Sequence, residues 1–234
     1  DVPVIPVHHM EAHLLMAKYD APQLKYPFLT LLVSGGHTIL AKVQSSGVYK
    51  ILGQTIDDAV GEAFDKTAKL LGLRYPGGPE IEKNAAKGEK MKESFPRPIL
   101  KSDNYNFSFS GLKTAVLYKV NSLKEKNEFT KQTISDVSLE FQEAAIDCLL
   151  YKTKKALIDF NLNQVVLSGG VAANKQLRKR FNEELGKKYA VIYPDFSHCT
   201  DNGAMIAFSG FEKFSSCDKE NNISVIPRWS LEEI

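Results

Sequence analysis

The sequence is poor in cysteine, has almost no net charge and contains no long apolar run. The three cysteines, Cys148, Cys199 and Cys217, lack CxxC spacing and cannot all pair, so we expect free thiols and a reducing compartment. No apolar stretch approaches the roughly 20 residues that span a bilayer, and no basic segment followed by an apolar one opens the chain. We therefore expect no membrane anchor and no secretory signal. With 43% hydrophobic residues among 234, the composition favours a globular intracellular protein with one core or two closely associated lobes.

A net charge of +2 is too small to indicate a nucleic-acid-binding protein, because phosphate contacts need clustered lysines and arginines. Two local clusters exist. The first contains Lys83, Lys87, Lys90, Lys92, Arg97 and Lys101, accompanied by Phe95, Tyr105 and Phe107. The second contains Lys175, Arg178, Lys179, Arg180, Lys187 and Lys188. Taken alone, each cluster is more typical of a solvated helix face or a polar loop than of a phosphate site.

The order of predicted strands and helices indicates an α/β protein. Apolar runs and turn signals predict strands at 2–7, 28–33, 38–43, 49–52, 164–167 and 190–193. Apolar residues at helical spacing predict helices at 8–18, 58–71, 80–87, 136–160, 174–185 and 202–213. Residues 88–110 are polar, contain proline and show no periodicity, so they are predicted to form a long loop. The strand-helix alternation from 164 onwards favours an α/β layer.

Two histidines four residues apart, His9 and His13, lie in the predicted helix 8–18 and would share one of its faces. Asp201, far along the chain, is the candidate for a third ligand. Two imidazoles and one carboxylate suit Fe(II), Zn or Mn and leave coordination positions open for a substrate. On spacing alone, two helix histidines with ordinary contacts are the alternative.

Glu11 lies between these histidines but does not create a zinc-protease motif. That motif is His-Glu-x-x-His, in which the glutamate directly follows the first histidine and reaches the metal-bound water. Here His9 is followed by Met10, which places Glu11 on a different helix face. A metalloprotease is therefore disfavoured.

Two glycine turns each follow an apolar strand, at Ser34-Gly35-Gly36 and at Ser168-Gly169-Gly170. Glycines after a strand let backbone amides approach phosphate oxygens without a Cβ in the way, although an ordinary tight turn is the alternative for either one. Asn174 follows the second turn at a position where its amide could meet a ribose or a base. Asp65 is a carboxylate in a mainly apolar helix, where an exposed surface charge is the alternative. Metal ligands together with two such turns indicate a phosphate-containing ligand.

Seven ordered segments together resemble the tRNA threonylcarbamoyladenosine transferase family, once labelled O-sialoglycoprotein endopeptidases. The segments are 7–14, 32–38, 61–66, 75–79, 107–114, 168–174 and 199–205. Segment 107–114, which reads Phe-Ser-Phe-Ser-Gly-Leu-Lys-Thr, resembles the bacterial and organellar branch rather than the archaeal one. The segments are distributed over nearly the whole chain, which makes the resemblance specific.

The resemblance implies an α/β fold of the actin and sugar-kinase type, which is ribonuclease H-like and has two related lobes around a nucleotide cleft. Residues 1–234 would form the carboxy-terminal lobe together with the metal-binding helix 8–18, and most of the amino-terminal lobe would be absent from this chain. We expect such a lobe to be inactive alone. The expected location is the cytoplasm, with the mitochondrial matrix or another organelle as the alternative.

The resemblance also implies the site and the reaction. His9, His13 and Asp201 would bind one divalent metal ion, Fe(II) or Zn. Threonylcarbamoyl-adenylate would be held by Leu32, Val33, Ser34, Gly35, Gly36, Asp65, Gly78, Glu82 and Asn174. The threonylcarbamoyl group would pass to the exocyclic amine of the adenosine beside the anticodon, in tRNAs that read codons beginning with A, and AMP would leave. No catalytic residue is assigned, and Asp65 and His37 are the candidates for the general base.

With tRNA as the expected partner, Lys175, Arg178, Lys179 and Arg180 become candidate phosphate contacts. The expected assembly is a homodimer or a complex with accessory subunits. Two rival functions remain open: an ATPase or kinase of the same fold, and a non-catalytic partner subunit. The imidazole pair disfavours a sugar kinase, which uses Mg with carboxylates and waters, and retention of all three metal residues disfavours a scaffold.

Overall fold

The chain folds around a mixed β-sheet, seen in a computed structural model that describes residues 4–214, 224–227 and 229–234. Within these residues the sheet has five strands in the order β3-β2-β1-β4-β5. The strands are β1 (Phe28–Val33), β2 (Thr38–Ser45), β3 (Val48–Gln54), β4 (Gln164–Ser168) and β5 (Ala190–Ile192). The first three form an antiparallel meander, and β1, β4 and β5 run parallel.

The central strand β1 is buried along its whole length, which explains why its sequence is a continuous apolar run rather than an alternating one. Its alternate residues face opposite layers. Leu31 packs on one side with Leu167 of β4, whereas Leu32 packs on the other side with Val166. Both faces of the sheet are therefore covered by helices.

The helices are distributed between the two faces. They are α1 (His9–Asp20), α2 (Val60–Leu70), α3 (Gly77–Ala85), α4 (Ser110–Glu125), α5 (Lys131–Asp159), α6 (Lys175–Leu185) and α7 (Gly203–Lys213). The larger core includes Phe64 of α2 and Phe141 of α5, whose rings meet edge to face at 5.0 Å. The smaller core places Leu14 of α1 against Leu32 and Val166 of the sheet. Layers of helices on both sides of a partly parallel sheet confirm the predicted α/β class.

Most predicted elements are confirmed, with differences at helix starts. The longest helix begins at Lys131 rather than at 136, because the Thr130 side chain caps it by accepting a hydrogen bond from the Thr133 amide. The helix predicted at 80–87 begins at Gly77. The predicted strand 2–7 is wrong for residues 4–7, which lie in no strand, and residues 1–3 lie outside the described part.

The loop 88–110 is confirmed up to Phe109, after which the unpredicted helix α4 begins. Cys148 and Cys199 are buried free thiols, as expected, and Cys217 lies outside the described residues. Among the residues that the structure describes, no helix combines the length and the apolar character needed to cross a bilayer.

Candidate functional site

His9 and His13 occupy adjacent turns on one face of α1, with ring centroids 4.9 Å apart and ring planes at 89°. Asp201 directly precedes Asn202, the residue that caps α7. The Asp201 Oδ1 atom lies 2.9 Å from Nε2 of His13 and 3.5 Å from Nε2 of His9. Three side chains predicted as metal ligands, separated by nearly the whole chain, thus converge on one point.

The chemistry of these three groups fits a divalent cation. Their donor atoms lie within 4.8 Å of one another, a spread that one ion can bridge. Burial lowers the pKa of His13 below its ordinary value, against the opposing effect of its hydrogen bond to Asp201. The neutral imidazole that results near pH 7 is the form that binds metal. The side chains of His9 and Asp201 are 54% and 78% exposed, so the group is open on one side to a substrate.

A cavity of about 750 Å³ lies beside this group, a volume suited to a nucleotide-sized ligand. Its lining includes all three candidate metal ligands and both glycine turns. The turns meet because β1 and β4 are parallel neighbours, with Leu32 paired to Ser168, so that both strands end at the same edge of the sheet. The repeated Ser-Gly-Gly sequence therefore builds two adjacent walls of one cavity.

The first turn is closed by two hydrogen bonds. The Ser34 amide donates to the His37 carbonyl at 2.8 Å, and the His37 amide donates to Ser34 Oγ at 3.1 Å. Gly61, near the start of α2, lies against this turn, and a Cβ at that position would come within 2.5 Å of the Ser34 carbonyl oxygen. Glycine at 61 thus allows the amino-terminal end of α2, which carries a positive partial charge, to approach the turn.

Ser34, Gly35 and Gly36 line the cavity, but Leu32 and Val33 do not. Both of these residues are fully buried in the sheet, where their side chains belong to the core. Their part in the site is to position the turn that follows. The sequence could not separate core residues from cavity-lining residues here, because segment 32–36 supplies both.

The second turn depends on Gly169, whose φ of +88° is in the region that favours glycine. A Cβ there would lie 2.5 Å from the Val33 carbonyl oxygen. Asn174 lines the cavity, but its side chain is already engaged: Oδ1 accepts from the Leu177 amide at 2.9 Å and Nδ2 donates to Gln142 Oε1 at 2.9 Å. Asn174 therefore caps α6 while it lines the cavity, and the expectation that its amide meets a ribose or a base stays a prediction.

Asp65, Gly78 and Glu82 line the same cavity from α2 and α3. Asp65 Oδ1 accepts from the Gly77 amide at 2.7 Å, which holds the start of α3 against α2. Glu82 Oε1 accepts from the backbone amide of Lys175 at 2.5 Å and so joins α3 to the start of α6. Each carboxylate has a structural contact in addition to its position in the cavity wall.

His37 presents its side chain to the cavity from the first turn. Partial burial lowers its pKa, and the neighbouring His9 and His8 lower it further, because a second positive charge is disfavoured there. The imidazole is therefore neutral near pH 7 and able to accept a proton.

Glu11 is fully buried and points away from the metal group. Its Oε1 accepts from the Tyr49 hydroxyl at 2.8 Å, and its Oε2 lies 2.6 Å from the Lys213 ammonium. Burial raises the pKa of Tyr49, as does the neighbouring Glu11 charge, so the phenol remains a donor. Both Glu11 oxygens thus contact groups other than the candidate metal ligands, in agreement with the expectation that a metalloprotease is disfavoured.

The arginines of the basic clusters are engaged inside the fold. Arg97 forms ion pairs with Glu140 and Asp147. Arg180 forms ion pairs with Glu143, Asp147 and Glu184. The hypothesis that Arg180 contacts tRNA phosphates is therefore not supported, whereas Lys175 and Lys179 are exposed.

Several cavity-lining residues were not predicted from the sequence. They include Tyr75, Pro79, Cys199 and Thr200. Tyr75 and Pro79 belong to segment 75–79 of the resemblance, and Thr200 adjoins Asp201, so proximity to a motif was the available signal. Cys199, which is fully buried, opens segment 199–205 and lies two residues before Asp201, so the same signal applied to it.

Comparison with solved structures shows the fold. The chain resembles full-length HypF in its phosphate- and nucleotide-bound form, with a TM-score of 0.66 and 17% identity over 90% of this chain and 42% of that one. It also resembles component A of the Acidaminococcus fermentans (R)-2-hydroxyglutaryl-CoA dehydratase, with a TM-score of 0.54 and 15% identity over 88% of this chain and 69% of that one. These likenesses agree with the predicted actin-like fold.

Comparison with known sequences shows the family. The profile described as tRNA N6-adenosine threonylcarbamoyltransferase, TsaD, matches residues 1–208. A protein of that name from Chromobacterium violaceum is 48% identical over 100% of this chain and 69% of its own length. One from Neisseria meningitidis is 44% identical over 100% of this chain and 71% of its own length. The chain therefore belongs to the tRNA N6-adenosine threonylcarbamoyltransferase family, whose members are tRNA-modifying transferases.

Proposed function

We propose that this chain carries the metal and nucleotide site of an enzyme that uses threonylcarbamoyl-adenylate as donor. The acceptor is the exocyclic amine of the adenosine beside the anticodon, in tRNAs that read codons beginning with A. The observation that supports this most is the convergence of His9, His13 and Asp201 beside both glycine turns in one cavity. A site of this composition suits an acyl-adenylate better than either a free phosphate or a peptide.

The walls of the cavity suggest how the donor is held. Gly35 and Gly36 leave open space, since a Cβ added at either position would meet no atom within 4 Å, so a phosphate can approach their backbone closely. Asp65, Gly78 and Glu82 border the remaining volume, where an adenosine fits. His9, His13 and Asp201 would hold Fe(II) or Zn, which supplies Lewis-acid stabilisation of developing negative charge when bound.

In the transfer, the adenosine amine attacks the carbamoyl carbon, the bond from that carbon to the phosphate oxygen breaks, and the amine loses a proton. An aromatic amine is a weak nucleophile, so positioning by a rigid cavity contributes much of the rate. His37 and Asp65 are the proposed candidates for the proton acceptor. The neutral state of His37 and its exposure to the cavity support His37.

We also propose that residues 1–234 form the carboxy-terminal lobe and metal helix of a two-lobed enzyme. The relatives exceed this chain by about a third of their length, which leaves room for the amino-terminal lobe of an actin-like fold. A homodimer or accessory subunits would complete the assembly. The cytoplasm is the proposed location because the matched relatives are bacterial and act on tRNA, with an organelle as the alternative.

The rival functions are weaker. An ATPase or kinase of the same fold needs no imidazole pair, and a non-catalytic subunit needs neither the pair nor the carboxylate. The likeness to HypF concerns the fold alone.

The test supplies threonylcarbamoyl-adenylate and unmodified tRNA to the enzyme with both lobes present, and quantifies the modified nucleoside by mass spectrometry. We expect His9→Ala and Asp201→Ala each to lower the rate of modification by at least about 100-fold. Loss of a metal ligand should cost more than loss of a group that only orients a ligand. Asp103→Ala, which removes an exposed carboxylate on the 88–109 loop, is the matched control and should keep full activity. Full modification by both site variants would contradict the metal assignment.

A further inference from the structure

We propose that Arg178 is a positioning residue that couples the adenosine side of the cavity to the loop carrying Asp201. The inference rests on the proposed function, because it concerns how the nucleotide and metal parts of that site influence each other. Arg178 lies on α6, and its guanidinium contacts the segment after the second glycine turn and the loop that precedes Asp201.

The guanidinium is held by two aromatic rings. Its central carbon lies 3.9 Å from the ring centroid of Phe196 and 4.8 Å from that of Tyr193. The Tyr193 hydroxyl in turn donates to the Arg178 carbonyl at 3.1 Å. Stacking of this kind fixes the plane of the guanidinium, and with it the direction of its N–H groups.

These N–H groups reach two separate segments. Nε donates to the Ala172 carbonyl at 2.7 Å, within the short 3-10 helix Gly170–Ala173 that follows the second glycine turn. One terminal nitrogen donates to the Pro194 carbonyl and to Cys199 Sγ, both at 3.2 Å. Cys199 lines the cavity two residues before Asp201. A single side chain thus joins the segment after the second glycine turn to the loop that carries Asp201.

The opposite side of that loop is attached to α1, the helix that carries the histidines. Asp20, the last residue of α1, accepts from the Asp195 amide at 2.8 Å and pairs with His198 Nδ1 at 2.9 Å. The loop 194–201 is therefore fixed between α1 and Arg178. Displacing the second glycine turn would displace the Asp201 loop, unless the Arg178 hydrogen bonds break.

When two ligands favour the same conformation of one segment, each ligand increases the affinity for the other, and it does so by the same factor. Gly170, Val171 and Ala173 line the same cavity as Asp65, Gly78 and Glu82, so adenosine bound there should order residues 170–173. That ordering should pre-order the Asp201 loop for metal, and metal should tighten adenosine. Adenosine is the suitable probe because it lacks the phosphate that would touch the metal directly. Any effect of metal on adenosine affinity must then pass through the protein.

The experiment measures the Kd of adenosine by calorimetry, with and without saturating Zn²⁺, on the enzyme with both lobes present, as wild type, Arg178→Ala, Arg178→Lys and Lys179→Ala. We expect Zn²⁺ to tighten adenosine about fivefold in the wild type, the low end of typical coupling. In Arg178→Ala, the ratio of the adenosine Kd without Zn²⁺ to the Kd with Zn²⁺ should fall below about twofold. Arg178→Lys should behave similarly, since an ammonium cannot reproduce the planar fork. Lys179→Ala, an exposed neighbour on the same helix, should keep the wild-type ratio.

Thermal unfolding and circular dichroism of each variant establish that it is folded, and the ratio of two Kd values in one variant is insensitive to a uniform loss of stability. An unchanged ratio in Arg178→Ala, or a wild-type ratio of one with both ligands bound, would overturn the inference. Failure of the wild type to bind either adenosine or Zn²⁺ would instead refute the proposed function, and the inference with it.

Discussion

Glu11 and Lys213 form an ion pair across α1 and α7, with 2.6 Å between Oε2 and Nζ, although the Glu11 side chain has no solvent exposure. The pair joins the helix that carries His9 and His13 to the helix that begins just after Asp201. A second pair, Lys18 with Glu212, links the same helices nearer to the surface, at 2.5 Å. The relative position of the candidate metal ligands is therefore set partly by charges that never touch the metal.

Replacing Glu11 by Gln should weaken metal binding and destabilise the chain. The amide keeps an acceptor for the Tyr49 hydroxyl but removes the charge opposite the Lys213 ammonium, which costs about 3 kcal/mol of unfolding free energy for a buried pair. We expect Co²⁺ or Zn²⁺ affinity to fall about 10-fold, as for other groups that orient metal ligands.

Urea unfolding and metal titration of Glu11→Gln measure both effects. Lys18→Met is the matched control, because it breaks the more exposed pair between the same helices and should cost no more than about 1 kcal/mol. Equal losses in the two variants would show that burial of the Glu11 pair has no special effect.

Gly61 should tolerate no side chain, and Gly35 should tolerate one at the expense of binding. A Cβ at 61 would lie 2.5 Å from the Ser34 carbonyl oxygen, whereas a Cβ at 35 meets no atom within 4 Å. We expect Gly61→Ala to lose about 2 kcal/mol of stability and to distort the first turn. Gly35→Ala should keep its stability within about 0.5 kcal/mol and lose affinity for AMP.

Thermal melting and AMP titration of both glycine variants separate the two effects. Comparable stability losses would mean that the start of α2 does not pack on the turn as described. Unaltered AMP binding by Gly35→Ala would remove the first turn from the nucleotide site.

Much of this site was predictable from the sequence because its residues lie in short local patterns. The histidine spacing predicts a shared helix face, and apolar strands followed by Ser-Gly-Gly predict two similar turns. Periodicity likewise identified β1, β2, α2 and α6 to within a few residues. Local sequence patterns suffice to predict a helix, strand or turn that is determined by backbone conformation and one buried face.

Contacts between distant segments were not predictable in the same way. Asn174 was expected at the ligand, and the sequence did not show that it also caps α6 and bonds Gln142. Arg180 was expected at tRNA, yet carboxylates of α5 engage it. Helix α4 was missed because its start is stabilised by a carboxylate more than fifty positions earlier, a partner that no sequence window contains. In each case a polar group meets a partner that only the fold supplies.

That carboxylate is Asp57, and its removal should destabilise α4. It accepts from the Phe109 amide at 2.8 Å and from the hydroxyls of Ser108 and Ser110 at 2.5 and 2.7 Å. Since no side chain of α4 itself caps the helix, Asp57→Ala should cost about 1 kcal/mol, as for a lost helix cap.

The effect of Asp57 should depend on pH. Burial alone would raise the pKa of Asp57, but the hydrogen bonds from Ser108, Phe109 and Ser110 bring it below its ordinary value. The stabilisation is thus fully present above the pKa that the Asp57 carboxyl has in the unfolded chain. It is lost as pH falls through the lower pKa of the same carboxyl in the folded chain. Unfolding free energies of the wild type and Asp57→Asn should converge at strongly acidic pH, with Asp103→Asn as control. A gap that stays constant with pH would contradict the assignment.

Cys148 should resist alkylation in the native chain. Burial raises the pKa of its thiol to about 12, so almost no thiolate forms at pH 8.5. Burial also raises the pKa of Cys199, although the nearby Arg178 charge opposes this shift. Iodoacetamide labelling followed by peptide mass spectrometry should find both cysteines unmodified in the native chain and fully modified in urea. Rapid native labelling of Cys148 would contradict its placement in the core.

The most direct test of the metal centre is the position of the ion itself. Crystals of the chain loaded with one equivalent of Zn²⁺ should show a single anomalous peak within about 2.2 Å of Nε2 of His9, Nε2 of His13 and a carboxylate oxygen of Asp201. A peak at other side chains, or an absent peak despite stoichiometric zinc in solution, would contradict the convergence of these three groups on one cation.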